Sequence, residues 1–469
     1  MPNRWPISSG NWSNAAIWNG SLIPTASDDV FSNNFTVNID TSFEVLSLSS
    51  AASASAVVAG GSFNFNSGSI SCSLSSATPI VFGAANAVTI TAPTGTVTIN
   101  CTNPSSIISP LDVSSRTYIN HTSNCNFTLS VYQLNGAQFS SNNSSIVTLS
   151  KTSPGILTFT GIVQGGGAGS GGGSGGNHAI SCNAGNVIIN GNVRGNTILS
   201  NGGFLISAGI NQTAGNLTIN GNVIGGTASG GNITANYGIN FSGTSLTVNG
   251  NILGGNTSIG VSTSAPTFIN GNISGSATSG IVTTAPVIVS GSVIAQGAAA
   301  AINAGSSVVF INVSGSVIAS ATQNAIIATA ATAVVNLAGN LVNVNGKQAV
   351  YCQNLFLDNT ATTQARFFTF GGSDRTLYSS DTFPSLPSSS NVRFETTYGP
   401  GSGNTGTLRM TSPQDVRSGV LTDNTTGSAI LSAQSLFDEI ATSTNPVAVR
   451  LRQASTTNTV GNLLTAFKK

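Results

Sequence analysis

The amino-acid sequence predicts an all-β chain wound as a parallel β-solenoid, a right-handed β-helix, with a Trp-rich N-terminal cap and a small C-terminal region of strands and helices. Three observations carry that expectation. A short strand motif ending in a glycine, followed by Asn or Ser in seven of its eight copies, recurs along the chain, a second strand series recurs between its copies, and charged residues nearly vanish where both occur.

The motif copies are Leu-Thr-Phe-Thr-Gly161-Ile-Val, Val-Ile-Ile-Asn-Gly191-Asn-Val, Leu-Thr-Ile-Asn-Gly221-Asn-Val, Leu-Thr-Val-Asn-Gly250-Asn-Ile, Thr-Phe-Ile-Asn-Gly271-Asn-Ile, Val-Ile-Val-Ser-Gly291-Ser-Val, Ile-Asn-Val-Ser-Gly315-Ser-Val and Val-Asn-Leu-Ala-Gly339-Asn-Leu. Their glycines lie 30, 30, 29, 21, 20, 24 and 24 residues apart. A fixed strand motif at variable spacing is what stacked coils with loops of different length produce. Each copy alternates apolar and polar residues before its glycine, the pattern of a half-buried strand ending in a bend. The second series, Ile180, Ile206, Ile239, Ile259, Ile281, Ile302, Ile326 and Val350, is separated by 20, 22, 21, 24 and 24 residues from Ile239 onward, so both series count the same coils. At about 4.8 Å per coil, eight coils make a rod of roughly 35 to 40 Å.

The elements follow in chain order. Residues 1–50 hold Trp5, Trp12 and Trp18, which read either as a lid over the first coil or as an aromatic sugar-binding or virion-docking patch. Residues 51–353 form the solenoid, regular from about 155 and looser before it, where Val-Thr-Ile-Thr (88–91) and Val-Thr-Ile-Asn100-Cys101 mark further coils. The boundary near 353 is a jump in charge, and residues 354–469 form the C-terminal region. There Ser432 caps a helix through about Ala441, and another short helix lies around Leu463 to Phe467.

Only 27 of 469 residues are charged, against roughly a quarter in an ordinary globular chain. The net charge of +1 leaves no basic cluster for nucleic acid or an anionic membrane. Between Asp112 and Asp358 there is no Asp or Glu, and the cations are Arg116, Lys151, Arg194 and Lys347. Stacking explains this, because like charges about 4.8 Å apart repel by about 0.9 kcal/mol even in water, whereas stacked Asn, Ser and Thr hydrogen-bond along the axis. No signal peptide, no membrane-inserting segment and no export route are expected. Cys72, Cys101, Cys125, Cys182 and Cys352 lie too far apart for a CxxC zinc unit, and their odd number argues against a disulfide framework, so they read as small buried side chains.

Candidate chemistry is sparse. Asp28 and Asp29 are adjacent and point to opposite faces of a strand, a poor acid/base pair. His121 and His178 stand apart in Asn/Ser-rich contexts without a triad partner and read as solvated. The run Gly165–Gly176 lacks the Lys-Ser/Thr of a phosphate loop and reads as a projecting loop. Glycoside hydrolysis needs two carboxylates, which the solenoid face lacks, so an enzyme would have to use Asp374, Asp381 or Glu395. We expect no catalysis, no metal and no cofactor. Phe356, Phe367, Phe368, Phe370, Tyr378 and Phe383 cluster with Arg366, Asp374 and Arg375, as a plug closing the solenoid or joining three chains, or as a receptor-contacting tip built on Phe367, Phe368, Phe370, Arg375 and Tyr378.

Two stretches carry a family resemblance. Gly10-Asn-Trp12-Ser13, Trp18, Pro24, Asp28-Asp29-Val30 and Phe35-Thr-Val-Asn-Ile resemble the opening of many phage fibre proteins and bacterial surface β-helix proteins. Asn391-Val-Arg393-Phe-Glu-Thr-Thr-Tyr398 with Thr405-Gly406-Thr-Leu408, then Val416-Arg417-Ser-Gly419-Val420-Leu-Thr-Asp423-Asn424-Thr-Thr-Gly427, resemble the paired V-R-x-G units of tailed-bacteriophage tail fibres and tailspikes over about 40 residues. The first unit departs from the pattern at Phe394-Glu395. The resemblance implies a virion appendage protein, homotrimeric, made in the host cytoplasm without a signal peptide. It would assemble with other tail, baseplate or capsid proteins and bind a host surface polysaccharide or protein receptor without catalysis. A bacterial β-helix adhesin and a polysaccharide-depolymerising tailspike are the alternatives.

Overall fold

The computed structural model describes residues 3–357, apart from 54–55, 84, 110–116, 137–145, 167–176, 196, 199–206, 229–235, 257, 307–309, 331–332, 344–348 and 353, together with 368–370, 373–375, 421–422 and 425–426. Two short 3-10 turns, Ala15–Ile17 and Asn19–Ser21, are the helical elements among these residues; everything else regular is strand. The expected helices over 432–441 and 463–467 lie outside the described residues. Of the paired V-R-x-G units, one small hairpin is described, Leu421–Thr422 against Thr425–Thr426, antiparallel.

The strands wind as a parallel β-solenoid. One sheet of 16 strands runs along the rod, beginning Gly10–Asn11, Thr36–Ile39, Ser62–Phe65, Val88–Ile90, Thr117–His121 and Ile146–Lys151, and continuing through Val350–Cys352 to Phe368–Phe370. Each step is parallel until the last, where Ser373–Arg375 folds back antiparallel on Phe368–Phe370. The looser stretch before 155 therefore stacks on the same ladder as the regular coils. The Trp-rich segment joins that ladder too, through Gly10↔Val37, Val37↔Phe63 and Phe63↔Val88.

A second ladder begins with Phe43–Val45, Ile70–Leu74, Thr96–Cys101, Asn126–Asn135 and Leu157–Gln164. After Leu157–Gln164 it divides into two ladders, one continuing through Val187–Asn190 and the other through Val193–Arg194. The division falls at the motif glycine, so each copy after the first contributes two strands, one on either side of a bend. Where the first motif copy meets the longer strand below it, the register slips between Ser130 and Gln133, a β-bulge that sets Val131 and Tyr132 against Gly161.

The glycine is required by stacking. A Cβ on Gly191 would stand 1.9 Å from the carbonyl oxygen of Gly161, on Gly221 2.2 Å from that of Gly191, and on Gly250 2.3 Å from that of Gly221. The same approach continues through Gly271, Gly291, Gly315 and Gly339. At every coil the bend brings backbone onto backbone with no room for a side chain.

Alternate residues point inward. Val187, Ile189, Leu217, Ile219, Leu246 and Val248 are buried, and the same positions stay buried in the later coils to Leu355, apolar except for Thr267, whose hydroxyl donates to the Ala265 carbonyl at 3.0 Å. Each such side chain contributes about 1.5–3 kcal/mol of burial, which compensates for strands only two to four residues long. At the N-terminal end, Trp12 stacks on Phe43 with ring centroids 3.9 Å apart and meets Trp18 edge-on at 5.0 Å. Trp18 Nε1 donates to the Trp12 carbonyl at 3.0 Å, so its one polar atom is satisfied inside the core.

Candidate binding surface

Between coils, the outward positions also stack, and they build a nearly charge-free surface. Asn220 Nδ2 donates to Asn190 Oδ1 at 2.8 Å, Asn249 to Asn220 at 2.7 Å, and Asn270 to Asn249 at 2.6 Å. On the other side of the glycines, the backbone N–H of Asn222 donates to Asn192 Oδ1, that of Asn251 to Asn222 Oδ1 and that of Asn272 to Asn251 Oδ1, each at 2.9 Å. Ser292 N extends this file onto Asn272 Oδ1 at 2.8 Å, and Ser316 N onto Ser292 Oγ at 3.1 Å. Asn190, Asn220, Asn249 and Asn270 are exposed, and each keeps amide valences free of the ladder. Two files of carboxamides thus flank a line of glycines along the rod.

The outward face changes along its length. Thr98, Thr128 and Thr158 stack in one column, followed by Ile188, Thr218, Thr247, Phe268 and Ile288. Phe268 is 41% and Phe310 42% exposed, the large apolar side chains that stand out most from the regular coils. Neither exposure was expected, although Phe268 occupies a polar position of its motif copy, where Thr218 and Thr247 stand in others. Arg194 is exposed, whereas Lys151 is buried.

The interior holds polar residues that the sequence reading placed in solvent. His121 and His178 are both buried, which corrects the expectation that they are solvated. Each occupies an inward position of its strand, whereas Asn120 and Ser181 on the same strands are half-buried. His121, Lys151, Cys182 and Gln212 fill the same inward position on four successive coils. All four address a carbonyl at the following corner. His121 Nε2 lies 3.0 Å from Cys125 O, Lys151 Nζ donates to Ser153 O, Cys182 Sγ to Ala184 O at 3.0 Å, and Gln212 Nε2 to Ala214 O at 2.8 Å. Thr263 and Thr283 repeat the contact with Ala265 O and Ala285 O at 3.2 and 3.0 Å. Four residue types and a hydroxyl meet one need, the hydrogen bond that a buried corner carbonyl requires. Burial pushes the Lys151 ammonium below its usual range, with the Cys182 and Cys125 thiols acting weakly the other way.

Three carboxylates of the N-terminal coils, Asp28, Asp29 and Asp40, are engaged structurally, and Glu44 is exposed. Asp28 accepts from Thr25 N and Oγ1 and pairs with Arg4 Nε at 3.5 Å, Asp29 accepts from Ser47 Oγ at 2.6 Å, and Asp40 accepts from Ser13 N at 3.0 Å and from Ser13 Oγ at 2.5 Å. Asp28 is buried and Asp29 half-buried, on opposite sides of the strand start.

Of the sequence-predicted contact residues, Trp12 and Trp18 lie wholly inside the core and Trp5 is half-buried. Phe368, Phe370, Asp374 and Arg375 fall on the closing hairpin, with Phe368 opposite Arg375 and Phe370 opposite Ser373. Phe367, Tyr378, Asp381 and Glu395 lie outside the described residues, as do residues 167–176 of the glycine run. All five cysteines are buried and none is in a disulfide. Among the described residues no group of three His, Cys, Asp or Glu side chains converges on a metal position, and no helix is long and apolar enough to cross a membrane. Comparison with protein families, with curated proteins and with solved structures finds no match.

Proposed function

We propose that the chain is a non-catalytic attachment protein of a tailed bacteriophage, a tail fibre or tailspike, that works as a homotrimeric rod on the virion and binds the host cell surface. The observation that carries this reading is the surface of the rod: two files of exposed carboxamides on a charge-poor solenoid whose sequence has no carboxylate between Asp112 and Asp358. Such a face offers many weak hydrogen bonds in fixed register and lacks the carboxylate pair that glycoside hydrolysis uses. Weak contacts become firm attachment when three chains and several copies per particle engage together. The V-R-x-G resemblance at the C-terminal end supports the assignment to a virion appendage. A host surface polysaccharide or protein is the receptor class, and the closing hairpin with Phe368, Phe370 and Arg375 is a second contact region.

The test is competition. Purified chain at micromolar concentration should block adsorption of the phage that encodes it to its host, with a trimeric mass by light scattering. Absence of any block, or a monomeric mass, overturns the reading. Release of reducing or unsaturated sugar ends from host polysaccharide would replace it with a depolymerase.

A further inference from the structure

The coils between Thr117 and Gln212 differ from the rest of the rod in what they bury. His178 sits in register between Val147 below and Ala208 above, and its Nδ1 accepts the backbone N–H of Ala208 at 3.2 Å. The ring proton is therefore on Nε2, and a second proton on Nδ1 removes the acceptor that a ladder N–H depends on. His121 donates from Nε2 to the Cys125 carbonyl at 3.0 Å, and its Nδ1 is buried without a hydrogen-bond partner.

The groups facing His121 are Lys151 in the coil above, Ile90 in the coil below, Ser123 and Cys125 on its own corner, and the Phe127 ring at 5.8 Å. No carboxylate faces either histidine among the described residues, and none exists in the sequence from 113 to 357 to balance a new positive charge.

We propose that the coils from Thr117 to Gln212 are an acid-operated weak segment in a rod whose later coils are indifferent to pH: protonation of His121 and His178 opens these coils while the later ones stay stacked. The direction follows from the sites. Burial and then Lys151 hold the His121 ring down to about 4 against the opposing pull of the Cys125 and Ser123 carbonyls, and burial holds His178 down to about 4. The unfolded chain takes up these protons near pH 6.5, so the stabilisation is complete above that value and is lost as pH falls toward 4. The later coils contain no group that ionises in this window. The inference does not depend on the attachment reading.

Hydrogen–deuterium exchange of the full chain, corrected for intrinsic rates, tests it. Between pH 7 and pH 3.5, peptides within 117–194 should lose protection at least tenfold, and peptides within 259–319 less than twofold. Uniform loss along the rod, or none anywhere, overturns the proposal without any variant. The pair His121→Gln and His178→Gln supplies non-titrating replacements. Gln212 already donates to a carbonyl four residues on, Asn216 O, at 3.1 Å, as His121 does to Cys125 O. The double variant should keep its protection at pH 3.5; a variant that is folded at pH 7 and still opens there overturns the assignment.

Discussion

The backbone N–H of Asn222 donates to the side-chain Oδ1 of Asn192 one coil below, at 2.9 Å, so a side chain of one coil completes the backbone of the next. The bond matters because the bend at the glycine interrupts both strand ladders and leaves a backbone donor that neither ladder pairs. Asn at this position does what the missing ladder partner would do, and Ser292 takes over for Ser316 at 3.1 Å.

Gly250→Ala should be among the most damaging small substitutions in the chain. The new methyl would stand 2.3 Å from the Gly221 carbonyl oxygen, against backbone that has nowhere to move without shifting a coil. We expect a loss of about 3 kcal/mol, at the upper end of overpacking costs. Gly305→Ala is the control: its φ is +55° and nothing lies within 4 Å of the added carbon, so only the left-handed backbone penalty of about 1–2 kcal/mol applies. Denaturant midpoints of the two variants should differ in that order, and equal losses would refute the stacking account of the motif glycine.

The glycine spacing made the stack legible from Gly161 to Gly339, because the one residue that cannot vary is also the one that marks each coil. The number of strands per coil was less legible. Val193–Arg194 and Val223–Ile224 are two residues long, too short to show an alternation, and only the pairing across coils reveals them as a separate ladder. Burial of Lys151 and His121 was hidden for a related reason. A polar residue at a strand end among Asn and Ser reads as surface until the register with Cys182 and Gln212 shows it pointing inward. The exposed carboxamides, by contrast, stand on either side of Gly191, Gly221, Gly250 and Gly271 and follow from the motif.

Charge should be tolerated singly and rejected in stacks. In Asn251→Asp the Nδ2 donor to Asn222 Oδ1, 3.3 Å away, is replaced by an oxygen. Asn222→Asp alone keeps the acceptor that Asn251 N uses. The second carboxylate, about 4.8 Å from the first, adds about 0.9 kcal/mol of repulsion in water. A double-mutant cycle should therefore give a coupling of about 1 kcal/mol at low salt that shrinks by half or more at 1 M salt. Strict additivity at low salt would show that stacking does not explain the missing charges.

The thiols should be silent in the folded rod. Burial raises Cys72 well above its ordinary value, with the Cys101 thiol adding to the effect, and it pushes Cys101 up to about 12. Burial also raises Cys182, outweighing its hydrogen bond to Ala184 and the influence of Lys151. The thiolate is the reactive form, so at pH 8 these sites combine a small thiolate fraction with no access. A chromogenic disulfide reagent should find fewer than one reactive thiol per chain in native buffer and all five in denaturant. Rapid native labelling of two or more would contradict the packing described for them.

The aromatic lid makes the last prediction, because it decides whether the N-terminal end of the rod holds itself shut. Trp12 covers the first coil by stacking on Phe43 at 3.9 Å, and its carbonyl receives the indole N–H of Trp18 at 3.0 Å. A buried tryptophan of this kind removes about 150–250 Å² from water, worth about 4–6 kcal/mol. Trp12→Ala removes that cover but leaves the carbonyl, so the Trp18 bond survives while the ring beneath loses its partner. A solenoid coil contacts only its neighbours, so the damage should stay local. We expect a loss of about 3–5 kcal/mol confined to the first coils. Limited proteolysis should release fragments cut before about residue 66 while the coils from Val88 onward resist. Cleavage spread evenly along the rod would mean that the lid stabilises the whole solenoid, and the end would then be a nucleus for folding rather than a cap.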